Sequence, residues 1–108
     1  MNSFLQSYLP DIRALCETHR VERLYAIGSV LTDQFREESD IDFLVSFGKI
    51  PLLEYGDNYF ELQEKLEALL GRRVDLVIEK DLTNKALIKE LNRTKVLIYE
   101  RPRPEVAA

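Results

Sequence analysis

The chain has 108 residues, enough for one hydrophobic core and too few for a second folded module. Its apolar fraction of 45% and charged fraction of 31% exclude a disordered or fibrous chain, and no apolar run approaches the ~20 residues that span a bilayer. A net charge of -4 argues against a general nucleic-acid-binding surface, which needs clustered Lys and Arg, but it leaves room for a small anionic ligand where a metal ion inverts the local charge.

The amino terminus, with Asn2, Ser3 and Gln6, lacks the basic and apolar segments of an export signal. Phe4, Leu5 and Tyr8 can add a turn before a helix over Leu9 to His19, where Pro10 falls in the first turn and Ile12, Leu15 and Cys16 form an apolar face. Cys16 is the single cysteine and reads as a small core residue, so cytoplasm is the default compartment. His19, at the helix end, reads as a solvated cap residue. Arg23 to Ile27 is a short apolar run stopped by Gly28, hence a buried strand, and Gly28-Ser29 opens a turn or short helix. Asp40 to Phe47 reads as a second strand.

Residues 48 to 56, centred on Pro51, read as a loop, with Asp57 as the N-cap of a helix over Asn58 to Leu70 that Gly71 stops. Tyr55, Tyr59 and Phe60 read as core aromatics, and Glu61 with Lys65 as a spaced pair on a solvated face. Arg73 to Glu79 is a third strand; Thr83 or Asn84 caps a helix through Leu91 whose buried face is Leu87, Ile88 and Leu91; Val96 to Tyr99 is a last strand. The reading is one domain over residues 1–100 and a frayed tail over 101–108. The alternation of helices and strands gives an α/β or α+β class, a small sheet flanked by helices.

Chemistry gathers at three acids. Asp40 and Asp42 are two apart in a strand, so both carboxylates share one face while Ile41 and Phe43 point to the other. Adjacent like charges raise each other's pKa, and a divalent cation relieves them. Magnesium takes one or two carboxylates together with water and phosphate oxygens, which suits a metal shared with a nucleotide. Asp75 interrupts the apolar strand Val74 to Ile78, where a carboxylate is costly without a partner. If that strand lies beside the second, three carboxylates converge on two metal ions, and Asp75 is the candidate general base. Gly28 and Ser29, at a strand end, supply a bare backbone and a hydroxyl for phosphate. Arg36 either reaches the phosphates or pairs with Asp33, Glu37 or Glu38.

Taken singly these signals have plainer readings. Gly-Ser marks turns, Asp-x-Asp caps turns, and an acid on an edge strand discourages aggregation. Together, Gly28-Ser29, ten intervening residues and Asp40-x-Asp42 resemble the signature of the minimal nucleotidyltransferases of the DNA polymerase beta-like superfamily. Ser39 to Val45 is similar to that family's core, Arg73 to Val77 to its third-carboxylate strand, and Asn84 to Tyr99 to its closing helix and strand, so the resemblance covers nearly the whole chain.

The resemblance implies a nucleotidyltransferase fold, a mixed sheet flanked by helices, that uses two Mg²⁺ to transfer AMP from ATP. It implies Asp40, Asp42 and Asp75 as catalytic and metal-holding residues, and Gly28 and Ser29 as nucleotide-binding. It also implies an antitoxin whose acceptor is a tyrosine of a helical HEPN-type toxin. Many relatives follow Gly-Ser with a basic residue and a further glycine, whereas this chain has Val30-Leu31-Thr32-Asp33. Two other functions therefore stay open: an antitoxin that neutralises by occlusion without catalysis, and an adenylyltransferase of a small molecule. The chain has no room for an acceptor-holding domain, which favours a protein substrate, although a homo-oligomer is another way to build an acceptor site.

Overall fold

The computed structural model describes residues 3–102. Four strands, β1 (Val21–Ile27), β2 (Ile41–Phe47), β3 (Val74–Ile78) and β4 (Val96–Glu100), form one sheet in the order β3-β2-β1-β4. β2 and β3 are parallel, while β1 runs antiparallel to both β2 and β4, so the sheet is mixed. Three helices join them: α1 (Leu9–Thr18), α2 (Leu52–Leu70) and α3 (Lys85–Thr94). The expected α+β architecture is present, and among the described residues no helix is long and apolar enough to cross a membrane.

A 3-10 segment, Ser3–Tyr8, leads into α1 and buries Leu5. Ile12 and Cys16, four apart, are the buried residues of α1, and Leu62, Leu66 and Leu70 are those of α2. These side chains meet Leu24, Ala26, Ile41, Phe43, Val45, Val74, Leu76 and Ile98, so the core lies between α1, α2 and one face of the sheet. The opposite face carries Asp42 and Leu44, the β2 residues that alternate with that core set.

Helix α2 is six residues longer at its start than its sequence suggests. It begins at Leu52, directly after Pro51, so Gly56 and the expected cap Asp57 both lie inside it. Pro51 lacks an N–H, and a helix start is where that lack is tolerated; its carbonyl accepts from Glu54 N at 2.9 Å. Gly56 costs about 1 kcal/mol relative to Ala in a helix, and the packed stripe further along outweighs it. At the other end Gly71 takes φ 65° and donates to Glu67 O, the expected stop.

The outer edge of β3 is covered by side chains. Tyr59 Oη donates to Leu76 O at 2.6 Å, Gln63 Nε2 donates to Val74 O at 2.9 Å, and Val74 N donates to Glu67 Oε2 at 3.0 Å. Residues spaced by four along α2 thus replace the neighbouring strand that an edge lacks. Tyr59 packs partly against the core, but Phe60 is 60% exposed and does not belong to it.

His19 is not solvated. It is 4% exposed at the end of α1, with Nδ1 2.8 Å from Leu15 O and Nε2 3.1 Å from Glu61 Oε1, while Asn58 Nδ2 donates to its carbonyl. It joins α1 to α2, and Glu61 also receives Lys65 Nζ at 3.0 Å. Helix α3 differs from expectation too. Asn84 caps it by accepting from Leu87 N, but none of its residues is buried, and Leu87 is 44% exposed. Arg101 N donates to Glu22 O at 2.8 Å, extending the ladder by a residue; of the expected tail, residues 103–108 lie outside those described.

Candidate active site

The chain leaves β1 at Ile27, which pairs with Asp42 on β2, and Asp42 pairs in turn with Asp75 on β3. Two acids therefore face each other across neighbouring strands, whose axes are about 4.8 Å apart. Ile41 and Phe43 are fully buried on the other face, so strand alternation presents Asp42 on the open one. Asp40 is exposed one residue before β2, and Asp75 is exposed within β3. β3 is also an edge strand, but the plainer reading of Asp75 as an edge charge gives no reason for its register opposite Asp42.

None of the three carboxylates accepts a hydrogen bond or joins an ion pair within 4 Å among the described residues. Asp42's pKa is raised, first by burial and then by the negative charges of Asp75 and Asp40. The charged form of Asp42 is therefore costly until a cation arrives. Among the described residues no three His, Cys, Asp or Glu side chains close around a metal position unaided. Magnesium does not require them to, because water and phosphate oxygens complete its shell. The donor set thus fits a hard divalent ion held jointly with a nucleotide.

Gly28 stands against this cluster. Its φ is +77°, and a Cβ there would lie 2.8 Å from Asp42 Oδ2. Glycine is needed for both the conformation and the approach. Gly28–Leu31 forms a 3-10 turn, whose first amides have no acceptor inside the turn. Ser29 is half-buried; its carbonyl accepts from Thr32 N and Oγ1, both at 2.9 Å, while its hydroxyl has no hydrogen-bond partner among the described residues. Val30 is fully buried, so the position directly after Gly28-Ser29 is spent on the core. Arg36 is exposed, and its Nη1 donates to Asp33 O at 2.8 Å and to Phe35 O at 3.4 Å. It pairs with no carboxylate among the described residues and touches none of the three acids.

Arg72 was not visible in the sequence as a site-shaping residue. Its guanidinium carbon lies 4.7 Å from the ring centres of both Phe4 and Phe35. Its Nη1 donates to Arg36 O at 2.7 Å and Ser39 O at 3.2 Å. Ile41 N donates to Arg73 O at 2.9 Å just beyond. The loop that carries the chain from the glycine turn to Asp40 is therefore pinned by Arg72, two residues before β3. Phe4 and Phe35 both lie far upstream of Arg72, so no local pattern could have signalled this.

This fold, with an Asp pair entering one strand, a third acid beside it and a glycine turn against them, defines a nucleotidyltransferase. Residues 11–104 match the family described as polymerase beta, nucleotidyltransferase, and the chain belongs to that family. Among its relatives is the protein adenylyltransferase MntA of Thermococcus cleftensis, 36% identical over 94 residues that span 84% of this chain and 89% of the relative. A solved minimal nucleotidyltransferase is 34% identical, with a TM-score of 0.71 over 85% of this chain and 90% of that one. A chain from the complex of tri-AMPylated Shewanella oneidensis HEPN toxin with MNT antitoxin shares the fold at 20% identity, with a TM-score of 0.61 over 89% of this chain and 72% of that one.

Proposed function

We propose that this chain transfers AMP from ATP to a hydroxyl of a partner protein, a tyrosine of a HEPN-type toxin, and thereby acts as an antitoxin in the cytoplasm. The observation that carries the reading is the Asp42–Asp75 pairing across β2 and β3 with Gly28 packed against Asp42 Oδ2. The name of the Thermococcus relative supports transfer to protein, and the AMPylated HEPN toxin in the Shewanella complex supports the acceptor class.

Asp40, Asp42 and Asp75 would hold Mg²⁺, which when bound supplies positive charge to the triphosphate and to the attacking oxygen. The chain's own parts do the rest. Gly28 leaves open space for the phosphates beside the acids, and Ser29 donates its unspent hydroxyl to a phosphate oxygen. Asp75, exposed and unpaired, takes the proton of the acceptor hydroxyl as that oxygen bonds to the α-phosphorus. The bond from phosphorus to the bridging oxygen breaks, and pyrophosphate leaves. Arg36 would join only by exchanging its loop carbonyls for phosphate.

The double variant Asp40→Ala/Asp42→Ala tests this. It should bind the toxin, leave it without added AMP by mass spectrometry, and lose neutralisation. The buried Val30 favours the second reading, occlusion, because it leaves the phosphate turn without a basic side chain. Full neutralisation by the double variant would establish occlusion and sink the catalytic reading. Labelling of a small molecule by radiolabelled ATP, without any protein acceptor, would instead favour a metabolite substrate.

A further inference from the structure

Helix α2 exposes large apolar side chains along its first half. Leu52 is 88% exposed, Leu53 94% and Phe60 60%, with Gly56 between them. Spacings of three and four along a helix put Leu53, Gly56, Asp57, Phe60 and Glu64 on one face, turned away from the buried Leu62, Leu66 and Leu70. The Phe60 ring stands edge-on to Tyr59, with centres 5.2 Å apart, and Tyr59 is itself anchored to Leu76 O. Clustered apolar side chains held in water in this way mark a surface that another molecule covers.

Gly56 indicates the shape of the occupant. The fold itself does not ask for glycine here, because its φ is not positive and a Cβ would meet nothing within 4 Å. Alanine would make the better helix. A missing side chain between apolar neighbours does let a second helix approach closely, since the side chains at the contact set the distance between packed helices. An added strand fits less well, because Tyr59, Gln63 and Glu67 already bond the neighbouring β3 edge at Leu76 and Val74.

The charges narrow the occupant further. Asp57 and Glu64 flank the apolar row and join no ion pair among the described residues. Two copies of α2 packed face to face would bring these acids together, and each copy carries a net charge of -4. The complement is instead a helix whose apolar row is edged by Lys or Arg, gripped by anchors one and two turns apart. Helix α2 covers the core side of the sheet and Asp42 lies on the other, so a partner seated on α2 leaves the acids open.

We infer that the outer face of α2 docks an amphipathic helix of the protein acceptor, its apolar row seated over Gly56 and its basic residues against Asp57 and Glu64. The inference rests on the reading of a protein acceptor. Docking and AMP transfer then belong to two surfaces.

Calorimetric titration of the full chain with the cognate HEPN-type toxin, without ATP, tests it. Gly56→Leu fills the space for the approaching helix, and Asp57→Lys/Glu64→Lys reverses the flanking charge. All three positions are exposed, and thermal melting checks that each variant stays folded. Each should weaken binding about tenfold or more. With ATP and Mg²⁺ added, each should raise KM for the toxin and leave kcat unchanged. Gly56→Ala separates docking from folding: it should melt higher than wild type and yet bind more weakly. Docking on α2 is overturned if the folded variants bind as tightly as wild type. It is also overturned, in favour of a second copy, if sedimentation shows wild-type dimers that Gly56→Leu dissociates. Failure of the wild-type chain to bind the toxin would overturn the protein-acceptor reading itself, and this inference with it.

Discussion

Gly28 meets two demands at one position, a positive φ and the absence of a Cβ 2.8 Å from Asp42 Oδ2. Gly28→Ala adds a left-handed strain of about 1–2 kcal/mol and pushes the carboxylate aside. Urea unfolding should show that loss of stability, and Mg²⁺-dependent AMP-PNP binding should weaken in the same variant. A stability loss with unchanged binding would mean that Asp42 needs no fixed position. Cys16 poses a different test. Burial pushes its thiol from 9.0 up to about 12. Below pH 9 both folded and unfolded chains hold the proton; between 9 and 12 only the unfolded thiol ionises, so folding loses stability as pH rises through that window. Thiol-reagent labelling at pH 8 should proceed only as fast as unfolding, and labelling faster than global unfolding would contradict that burial. The residue types of Cys16, Asp42 and Asp75 drew notice in the sequence because each is costly or conspicuous in its setting. His19 did not, since its partners Asn58 and Glu61 lie on another helix and no local pattern reveals them.

Between elements, the junction that matters most is the one Arg72 makes. Two ring faces and two carbonyls hold its guanidinium, and the loop from the glycine turn to Asp40 hangs on it. Each stacked cation contributes about 0.5–2 kcal/mol and each charged hydrogen bond about 1.5–3 kcal/mol before solvent and entropy take their share. Arg72→Ala should raise hydrogen exchange at the Ser39 amide, which donates to Arg36 O, and lower the transfer rate about tenfold or more. Arg72→Lys retains the charge without the flat fork and should fall between the two. Unchanged exchange in Arg72→Ala would show that the loop's own turns suffice to hold it. The strands and their order of appearance were legible because short apolar runs end at Gly28 and Gly48, and Gly71 stops α2 ahead of the third run. The start of α2 was not, because Pro51 and Gly56 are local signals that packing overrides. For α3 the sequence showed an apolar side but not whether anything covers it.

Across the whole molecule the sheet divides labour between its faces. One face is buried under α1 and α2, and the other displays the acids with only partial cover from α3. Substitutions on the two faces should therefore move stability in opposite directions. Leu66 is fully buried, and Leu66→Ala should cost about 2–5 kcal/mol, with nucleotide affinity little changed in the molecules that remain folded. Asp42 lies among unpaired negative charges, its pKa raised by burial and by Asp75 and Asp40, so its ionised form at neutral pH works against the folded state. Asp42→Asn should raise the melting temperature of the metal-free protein while abolishing AMP transfer. Adding Mg²⁺ with AMP-PNP should raise the wild-type melting temperature and leave that of Asp42→Asn nearly unchanged, because only a ligand that binds the folded form shifts the equilibrium. An Asp42→Asn protein that melts lower than wild type without metal would show that the carboxylate supports the fold. It would also remove the electrostatic reason for placing a cation there. The sign of that one shift separates a site held under strain for catalysis from an acid retained for structure.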